Sequence, residues 1–434
     1  MLSIVIQRNI IYLHRRRGMK TFKELYSYVV NTALQGDFGR IEDLEKDYDP
    51  YQLDCLLNPR KHPLVIQTGK CECTDAKQSE CIKRCPFDAI SIRPEGGISI
   101  DPDLCVGCSE CINGCASEKL KDSTEIIPAL KAIRSSKELV YAMIAPAFLG
   151  QFSESVTPGK LRTAMKKIGF DGMIEVSLFA DILTLKEALE FDKNINEESD
   201  FQLTSCCCPM WIAMIKKVYH DLMPHVPGAV SPMIACARSI KVLHPDAITV
   251  FIGPCLAKKA EAREQDLIGD VDYVLTFQEV QKIFYILGII PEDMEESEKD
   301  HSSKAGRIYA RAGGVSEAVE STVRRINPNR KITVKTKKAD GVPACKAMMQ
   351  ELIDGKADAN FFEGMGCRGG CVGGPRSVTS TEEGTKAVNI YGNESPYQNP
   401  IENPYVIELL HRLGFDTIDS LLEKSDIFTR NFNI

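Results

Sequence analysis

Apolar and polar positions along this chain fall into distinct textures. From about Thr21 to Leu57, Leu25, Val29, Ala33 and Leu34 recur at helix-like spacing and predict helical structure. Beyond about Thr124, short apolar runs alternate with amphipathic stretches. Val140 to Ile144, Met173 to Val176, Ile248 to Ile252, Tyr273 to Leu275 and Ile332 to Val334 read as strands. Leu161 to Ile168, Ile182 to Phe191, Val280 to Leu287 and Cys345 to Ile353 read as helices among them. Such alternation predicts an α/β domain of helix-flanked β-sheets. The acidic run Glu292 to Asp300 reads as a solvated loop, and Val406 to Leu413 as a helix in a tail that wraps the domain. Between the two textures lies a cysteine-dense segment. The expected organisation is a helical extension over 1–60, a cysteine-rich domain over 61–124 and the α/β domain with its tail over 125–434.

A length of 434 residues allows two or three domains and a sizeable core. The net charge of −7 argues against a general nucleic-acid binder. No run approaches the roughly 18 apolar residues that read as a membrane span. The seventeen cysteines change the picture, because they are odd in number and clustered as neighbours. Close-spaced thiols read as metal ligands in a reducing compartment, so a cytoplasmic location is expected. Met1 to Gly18 places Arg15-Arg16-Arg17 after its apolar start, the reverse of a secretory signal. An amphipathic anchor, an organelle-targeting peptide and a chain that truly starts at Met19 are the readings left open.

Cys105-x2-Cys108-x2-Cys111-x3-Cys115 matches the bacterial ferredoxin ligand run. Cys71, Cys73, Cys81 and Cys85-Pro86 end the same way after an irregular start, so the two halves look duplicated. The expected crossing puts Cys71, Cys73, Cys81 and Cys115 on one [4Fe-4S] cluster. Cys105, Cys108, Cys111 and Cys85 then hold a second. Thiolate tetrads also suit zinc, but the crossed spacing favours iron–sulfur and a role in electron wiring. Cys55, Cys236 and Cys345 stand apart in apolar surroundings and read as buried residues without ligand duty.

Three further loops belong together. Thr204-Ser205-Cys206-Cys207-Cys208-Pro209-Met210-Trp211 sets cysteines before a proline that suits a helix start, where dipole and free amides favour thiolates. Gly253-Pro254-Cys255-Leu256-Ala257-Lys258-Lys259-Ala260-Glu261 follows a strand, and at least one of its lysines should face inward if Cys255 binds metal. Glu363-Gly364-Met365-Gly366-Cys367-Arg368-Gly369-Gly370-Cys371-Val372-Gly373-Gly374-Pro375 sets two cysteines among glycines that let a backbone approach a bulky ligand. Together they supply one, one and two ligands, the complement for a single four-iron cube.

These loops resemble the three motifs that build the H-cluster of the [FeFe]-hydrogenase family, and the likeness runs from about Thr68 to Pro375. The Thr-Ser-Cys-Cys-Cys-Pro loop and Gly366 look most like the divergent group B branch. The resemblance implies a hydrogenase catalytic domain preceded by a small α+β, bacterial-type two-cluster ferredoxin-like domain. It implies reversible formation of dihydrogen from two protons and two electrons. The cofactor would be a four-iron cube joined through a cysteine to a two-iron unit with carbonyl, cyanide and dithiolate ligands. By the same resemblance Cys255, Cys367 and Cys371 ligate the cube, with Cys371 bridging to the two-iron unit. Aligned on Cys-Pro, Cys208 is the fourth ligand and Cys207 the proton-relay thiol; aligned on Thr204-Ser205, both roles move one residue earlier. Lys258 would bind a cyanide, with Glu261 orienting it, and Met365 would pack beside the two-iron unit. Ala145-Pro146-Ala147 and Ser231-Pro232-Met233 resemble pocket-lining segments.

Glu187 and Glu190 share one face of a predicted helix and resemble the relay glutamates of the family. Where the family relay has a serine, counting from Cys207 lands near Pro227-Gly228, which cannot pass a proton. Implied partners are a soluble electron carrier such as ferredoxin and the maturation proteins that build the two-iron unit. Two other readings stand beside the enzyme. One is a hydrogen-responsive regulator with slow turnover; the other is an iron–sulfur carrier or assembly protein without the two-iron unit.

Overall fold

The computed structural model describes residues 21–42, 44, 48–71, 79–94, 97–204, 207–297, 301–423 and 426–432. Cys73, Ser205, Cys206 and the leading segment Met1 to Gly18 lie outside the described residues.

The first helix, Phe22–Leu34, starts in a capping box in which Thr21 and Glu24 satisfy each other's backbone N–H. Its apolar face (Leu25, Val29, Ala33) joins the main core, against the helices Ile126–Ser135 and Phe277–Leu287. In the cysteine-dense segment β1 (Val65–Gln67) pairs antiparallel with β4 (Leu120–Asp122), and β2 (Ile90–Ile92) with β3 (Ile98–Ile100). The backbone repeats itself there. Short helices Glu80–Lys83 and Glu110–Asn113 precede Cys85 and Cys115, and Asp88 and Glu118 each take a φ of 53°. The strands β2 and β4 follow at Ile90 and Leu120, at one constant offset. This segment has a small core of its own, to which Leu256 from the distant second loop contributes.

The α/β expectation holds for the rest. β5 (Val140–Ile144), β6 (Gly172–Glu175), β8 (Ile248–Gly253) and β9 (Tyr273–Thr276) form an all-parallel sheet in the order β6-β5-β8-β9. β7 (Gln202–Leu203), β10 (Thr336–Asp340) and β11 (Phe361–Met365) form a second parallel sheet, with β11 in the centre. Central strands β5, β8 and β11 are almost fully buried and, but for Thr249 and Glu363, mainly apolar, as suits strands covered on both faces. The helix Ser177–Asn194 is buried around most of its circumference and packs against Gly314–Ile326 and Pro232–Leu243.

One expectation shifts. The strand read at Ile332 to Val334 begins instead at Thr336, because Thr336 is the residue in register with Phe361 of β11; Ile332 and Val334 only pack against the core. The described part of the acidic run is solvated as expected, with Asp293, Glu295 and Glu296 exposed, and is anchored along the start of Pro158–Ile168. Thr157 Oγ1 donates to Glu296 at 2.6 Å, and Arg162 donates to the Ser297 carbonyl at 2.8 Å. The tail does return over the domain: Phe428 is fully buried, and Thr429 bridges to Ala229.

What the fold does for the chemistry is simple. Ala145-Pro146 follows β5, Cys255 follows β8, Thr204 and Cys207-Cys208 follow β7, and Cys367 follows β11. All four are carboxyl ends of parallel strands, where open α/β sheets present their ligands.

Candidate metal centre

The Cys-Pro step places Cys208 at the N-cap of the helix Pro209–Val218, as the proline predicts. The Gly366 N–H donates to Cys208 Sγ at 3.3 Å and ties the first loop to the third. The Arg376 N–H donates to the Pro254 carbonyl at 2.9 Å and ties the third loop to the second. Within the third loop Gly369 and Gly370 take φ of 77° and 87°, the left-handed turn that brings Cys367 and Cys371 back toward each other.

Cys255, Cys367 and Cys371 each respond to the Cys208 thiol. Burial pushes Cys255 up to about 11 and Cys371 up to about 12, with Cys208 the next cause in both cases. Cys367 is driven well above the ordinary thiol range by burial, then by Cys255, Cys208 and Cys371. Like charges disfavour one another at short range, so this shared response places Cys208, Cys255, Cys367 and Cys371 near one another. Four soft donors enclosed together have the chemistry of a thiolate-bound iron site. Among the described residues no three His, Cys, Asp or Glu groups converge as ligands of a single ion.

Cys207 is also buried here, and its thiol is raised by burial, then by Cys208, Glu363, Cys371 and Glu187. A helix start was expected to favour its thiolate; desolvation and neighbouring negative charge outweigh that. Both lysines of the second loop turn inward. Lys258 Nζ donates to Glu261 Oε2 at 2.7 Å. Burial pulls Lys258 down, but Glu261, Cys255 and Cys371 more than offset it and raise its pKa. Lys259 is fully buried, bonded to Glu279 and to the Ser123 carbonyl, and belongs to the framework.

Met365 is buried at the end of β11. Ala145 lies beside the second loop, its Cβ 3.1 Å from where a Cβ on Gly253 would stand, and Pro146 follows half-buried. Ser231 lines a small cavity with Cys207, Cys208, Ile212 and Glu261. Met233 is buried as the second residue of the next helix, Pro232–Leu243. Glu187 is fully buried and close enough to Cys207 to affect it. Glu190 is engaged by Lys186 at 2.6 Å and is raised by burial in spite of that partner.

In the repeat segment Cys85, Cys105, Cys108 and Cys111 line one small cavity of about 20 Å³. Cys71 and Cys115 pack at the small core, and Cys81 lies inside it. Burial raises Cys115, but the Ser117 hydroxyl and the N–H groups of Lys119, Leu120 and Ser117 outweigh it and hold the thiol below its ordinary range. The segment meets the second loop directly. A Cβ on Gly107 would stand 3.1 Å from the Leu256 carbonyl carbon, a tight approach of the two backbones at a residue whose φ of 70° also favours glycine. Cys108 is close enough to Cys367 to raise it.

Three residues had no role in the sequence reading. Glu363, fully buried, accepts from the Gly313 and Ser316 N–H groups at 2.7 and 2.8 Å and so caps the helix Gly314–Ile326. Its position before Gly364 in the third loop was the only signal. Cys345 is buried, as expected, but its thiol donates to the Met365 carbonyl at 3.3 Å. Leu256 stands next to Cys255 and plugs the small core, a long-range contact that no local pattern announces.

A family profile described as the iron-only hydrogenase large subunit, C-terminal domain, matches residues 138–375. The chain is 28% identical over 275 residues to Iron hydrogenase 1 of Clostridium pasteurianum, covering 54% of this chain and 48% of that one. It is 25% identical over 384 residues to the NADP-reducing hydrogenase subunit HndD of Solidesulfovibrio fructosivorans, covering 75% and 66%. It thus spans about half to two thirds of the length of these relatives. It is also 23% identical over 391 residues to Protein NAR1 of Arabidopsis thaliana, covering 71% and 82%. A solved structure of a variant of [FeFe]-hydrogenase HydA1 from Chlamydomonas reinhardtii superposes with a TM-score of 0.60. That match has 21% identity and covers 71% of this chain and 98% of the other, a likeness of fold.

Proposed function

The chain belongs to the iron-only hydrogenase family, and from that premise we propose that it is a working [FeFe]-hydrogenase interconverting dihydrogen with protons and electrons. The observation that carries the proposal is the gathering of Cys208, Cys255, Cys367 and Cys371, with Cys207 and the buried Lys258–Glu261 pair beside them. Cys208, Cys255, Cys367 and Cys371 would hold a four-iron cube, and Cys371 would bridge to a two-iron unit. When bound, that group supplies the redox-active irons at which protons and electrons combine. The donor set fits it: soft thiols for iron, and a cation for an anionic ligand. Lys258 would hold a cyanide, with Glu261 fixing its ammonium. Met365, Ala145, Pro146, Ser231 and Met233 would wall the pocket against water. Cys207 would carry a proton at its sulfur, and Glu187 beside it would accept or return one.

The repeat segment over 61–124 would be a two-cluster ferredoxin-like domain, with Cys85, Cys105, Cys108 and Cys111 holding the inner cube. Cys71, Cys73, Cys81 and Cys115 would hold the outer one. The contact of Gly107 with Leu256 supports an electron path from the inner cube to the second loop. The electron donor would be a ferredoxin-type carrier, and maturation proteins would install the two-iron unit. The triple-cysteine loop and Gly366 support a place in the divergent group B branch. Among the described residues no helix is long and apolar enough to cross a membrane; the reducing chemistry of the thiols supports the cytoplasm.

A second reading has its own observation. The likeness to Protein NAR1, and to proteins named as cytosolic Fe-S cluster assembly factors, supports an assembly role without hydrogen chemistry. Assay of the chain matured with its accessory enzymes separates the two. The hydrogenase should evolve and take up dihydrogen with a reduced or oxidised carrier, and Cys371→Ser should abolish both. A chain that fills with cubes but exchanges no dihydrogen would be an assembly protein.

A further inference from the structure

The cysteine-lined cavity of the repeat segment holds a hydroxyl that the fold leaves uncommitted. Ser109, next to Cys108, is 1% exposed and lines that cavity with Cys85, Cys105, Cys108 and Cys111. Its Oγ is buried and has no hydrogen-bond partner among the described residues. A serine at a helix N-cap ordinarily accepts from the first turn. Ser109 instead takes a φ of 67°, and its side chain makes no such bond to the helix Glu110–Asn113. Ser79, at the same place in the first half of the repeat, takes a φ of −83°. The left-handed backbone of Ser109 suits glycine better than a residue with a Cβ. Two local costs therefore meet at one residue, a disfavoured φ and a buried hydroxyl with nothing to bond.

The surroundings leave sulfur as the acceptor. Apart from Ser109 and the four thiols, the side chains lining the cavity are apolar. Burial pushes Cys108 up to about 12; the Glu110 N–H opposes this, and Cys85 and Cys105 add to it. Cys111 is driven up by burial, then by Cys108, Cys105 and Cys85, so thiols from both halves of the repeat stand together. Backbone donors already serve some of these sulfurs. The Ala89 N–H donates to Cys85 Sγ at 3.3 Å, and the Gly107 N–H favours the Cys105 thiolate.

We infer that Ser109 donates its hydroxyl hydrogen to a sulfur of the inner [4Fe-4S] cube and so raises the reduction potential of that cube. The inference rests on the reading of the repeat segment as a two-cluster domain. Sulfur gains negative charge when one electron arrives from the ferredoxin-type carrier, so a donor stabilises the reduced form more than the oxidised one. The O–H bond stays intact and no proton is transferred. The same electron then passes on toward the second loop.

The test is an electrochemical titration of the full chain with its cubes reconstituted, followed by electron paramagnetic resonance. Ser109→Gly removes the hydroxyl and suits the φ of 67°, so the unfolding midpoint should not fall. The one-electron step that Cys111→Ser alters should move to lower potential in Ser109→Gly. The expected loss is on the order of tenfold in the ratio of reduced to oxidised cube, about 59 mV. Ser109→Ala should shift the same step, and the remaining steps should stay in place. Electron–nuclear double resonance of the reduced protein should show a proton coupling that exchanges in D2O and disappears in both variants. An unshifted step in Ser109→Gly, or a shifted one with that coupling retained, would overturn the inference alone. Spectra that Cys85→Ser and Cys111→Ser leave untouched would overturn the two-cluster reading and the inference with it.

Discussion

Gly364 lies flat against Trp211: a Cβ on the glycine would stand 1.9 Å from Cε3 of the indole. Trp211 cannot yield, because its Nε1–H donates to the Thr204 carbonyl at 3.0 Å. Two residues on, Gly366 faces Met210 in the same way, with 2.6 Å from its would-be Cβ to the Met210 Cβ. The glycine-rich loop was expected to make room for a bulky cofactor. At these two positions it makes room for the first loop instead, and so sets the distance between Cys208 and the pair Cys367 and Cys371. Gly364→Ala should therefore destabilise the protein by about 1–3 kcal/mol through overpacking, read as a lowered unfolding midpoint. Adding Trp211→Leu should recover part of that loss, and an unchanged midpoint in the single variant would show that the loops are not wedged together.

Lys258 and Glu261 form a nearly fully buried ion pair. Removing one partner leaves the other charge uncompensated, at a cost on the order of 3–5 kcal/mol. Glu261→Gln should show this in denaturant unfolding, and the double variant Lys258→Met with Glu261→Leu should be closer to wild type. In matured protein Lys258→Met should lose metal carbonyl bands while keeping the paramagnetic signal of a reduced cube. Full retention of the bands would take Lys258 out of cofactor binding.

Asp181 ties the start of the long helix to the segment at Ser303. It accepts from Ser303 N–H and Oγ–H, Gly306 N–H and Asn403. Burial still wins over these donors and raises its pKa from 3.8 to about 6. A carboxyl raised on folding binds its proton more tightly in the folded state. Its contribution is thus fully present below the unfolded pKa and lost as pH rises toward 6. A shift of this size corresponds to roughly 3 kcal/mol. The slope of stability against pH between 4 and 6 should turn more positive in Asp181→Asn; an unchanged slope would mean that Asp181 titrates as it does in the unfolded chain.

Leu256 fills the small core of the repeat segment from its place beside Cys255. Leu256→Ala should cost about 2–5 kcal/mol as a cavity. It should also slow carrier-driven hydrogen evolution more than dihydrogen exchange with D2O, which needs no net electron delivery. Equal slowing of both would place the effect at the chemistry rather than the wiring.

Much of this was legible locally. The run Val140 to Ile144 gives the strand residue for residue, and Cys208-Pro209 gives a helix start, because each depends on neighbours in sequence. The strand near Ile332 slipped to Thr336 because register is set by a partner strand far along the chain. The bonds of Glu363 to Gly313 and Ser316, the plug of Leu256 and the meeting of Arg430 with Glu264 are also long-range contacts. Ser231 could be read as pocket lining from its motif, but that its hydroxyl has no partner among the described residues appears only once the chain is folded.

The most direct measurement of the central claim is an infrared spectrum of the full chain produced together with H-cluster maturation proteins. Sharp metal carbonyl and cyanide bands should appear, and they should vanish in Cys371→Ser while the iron–sulfur absorption of the other cubes persists. A chain replete with iron–sulfur clusters yet devoid of those bands would contradict the hydrogenase account.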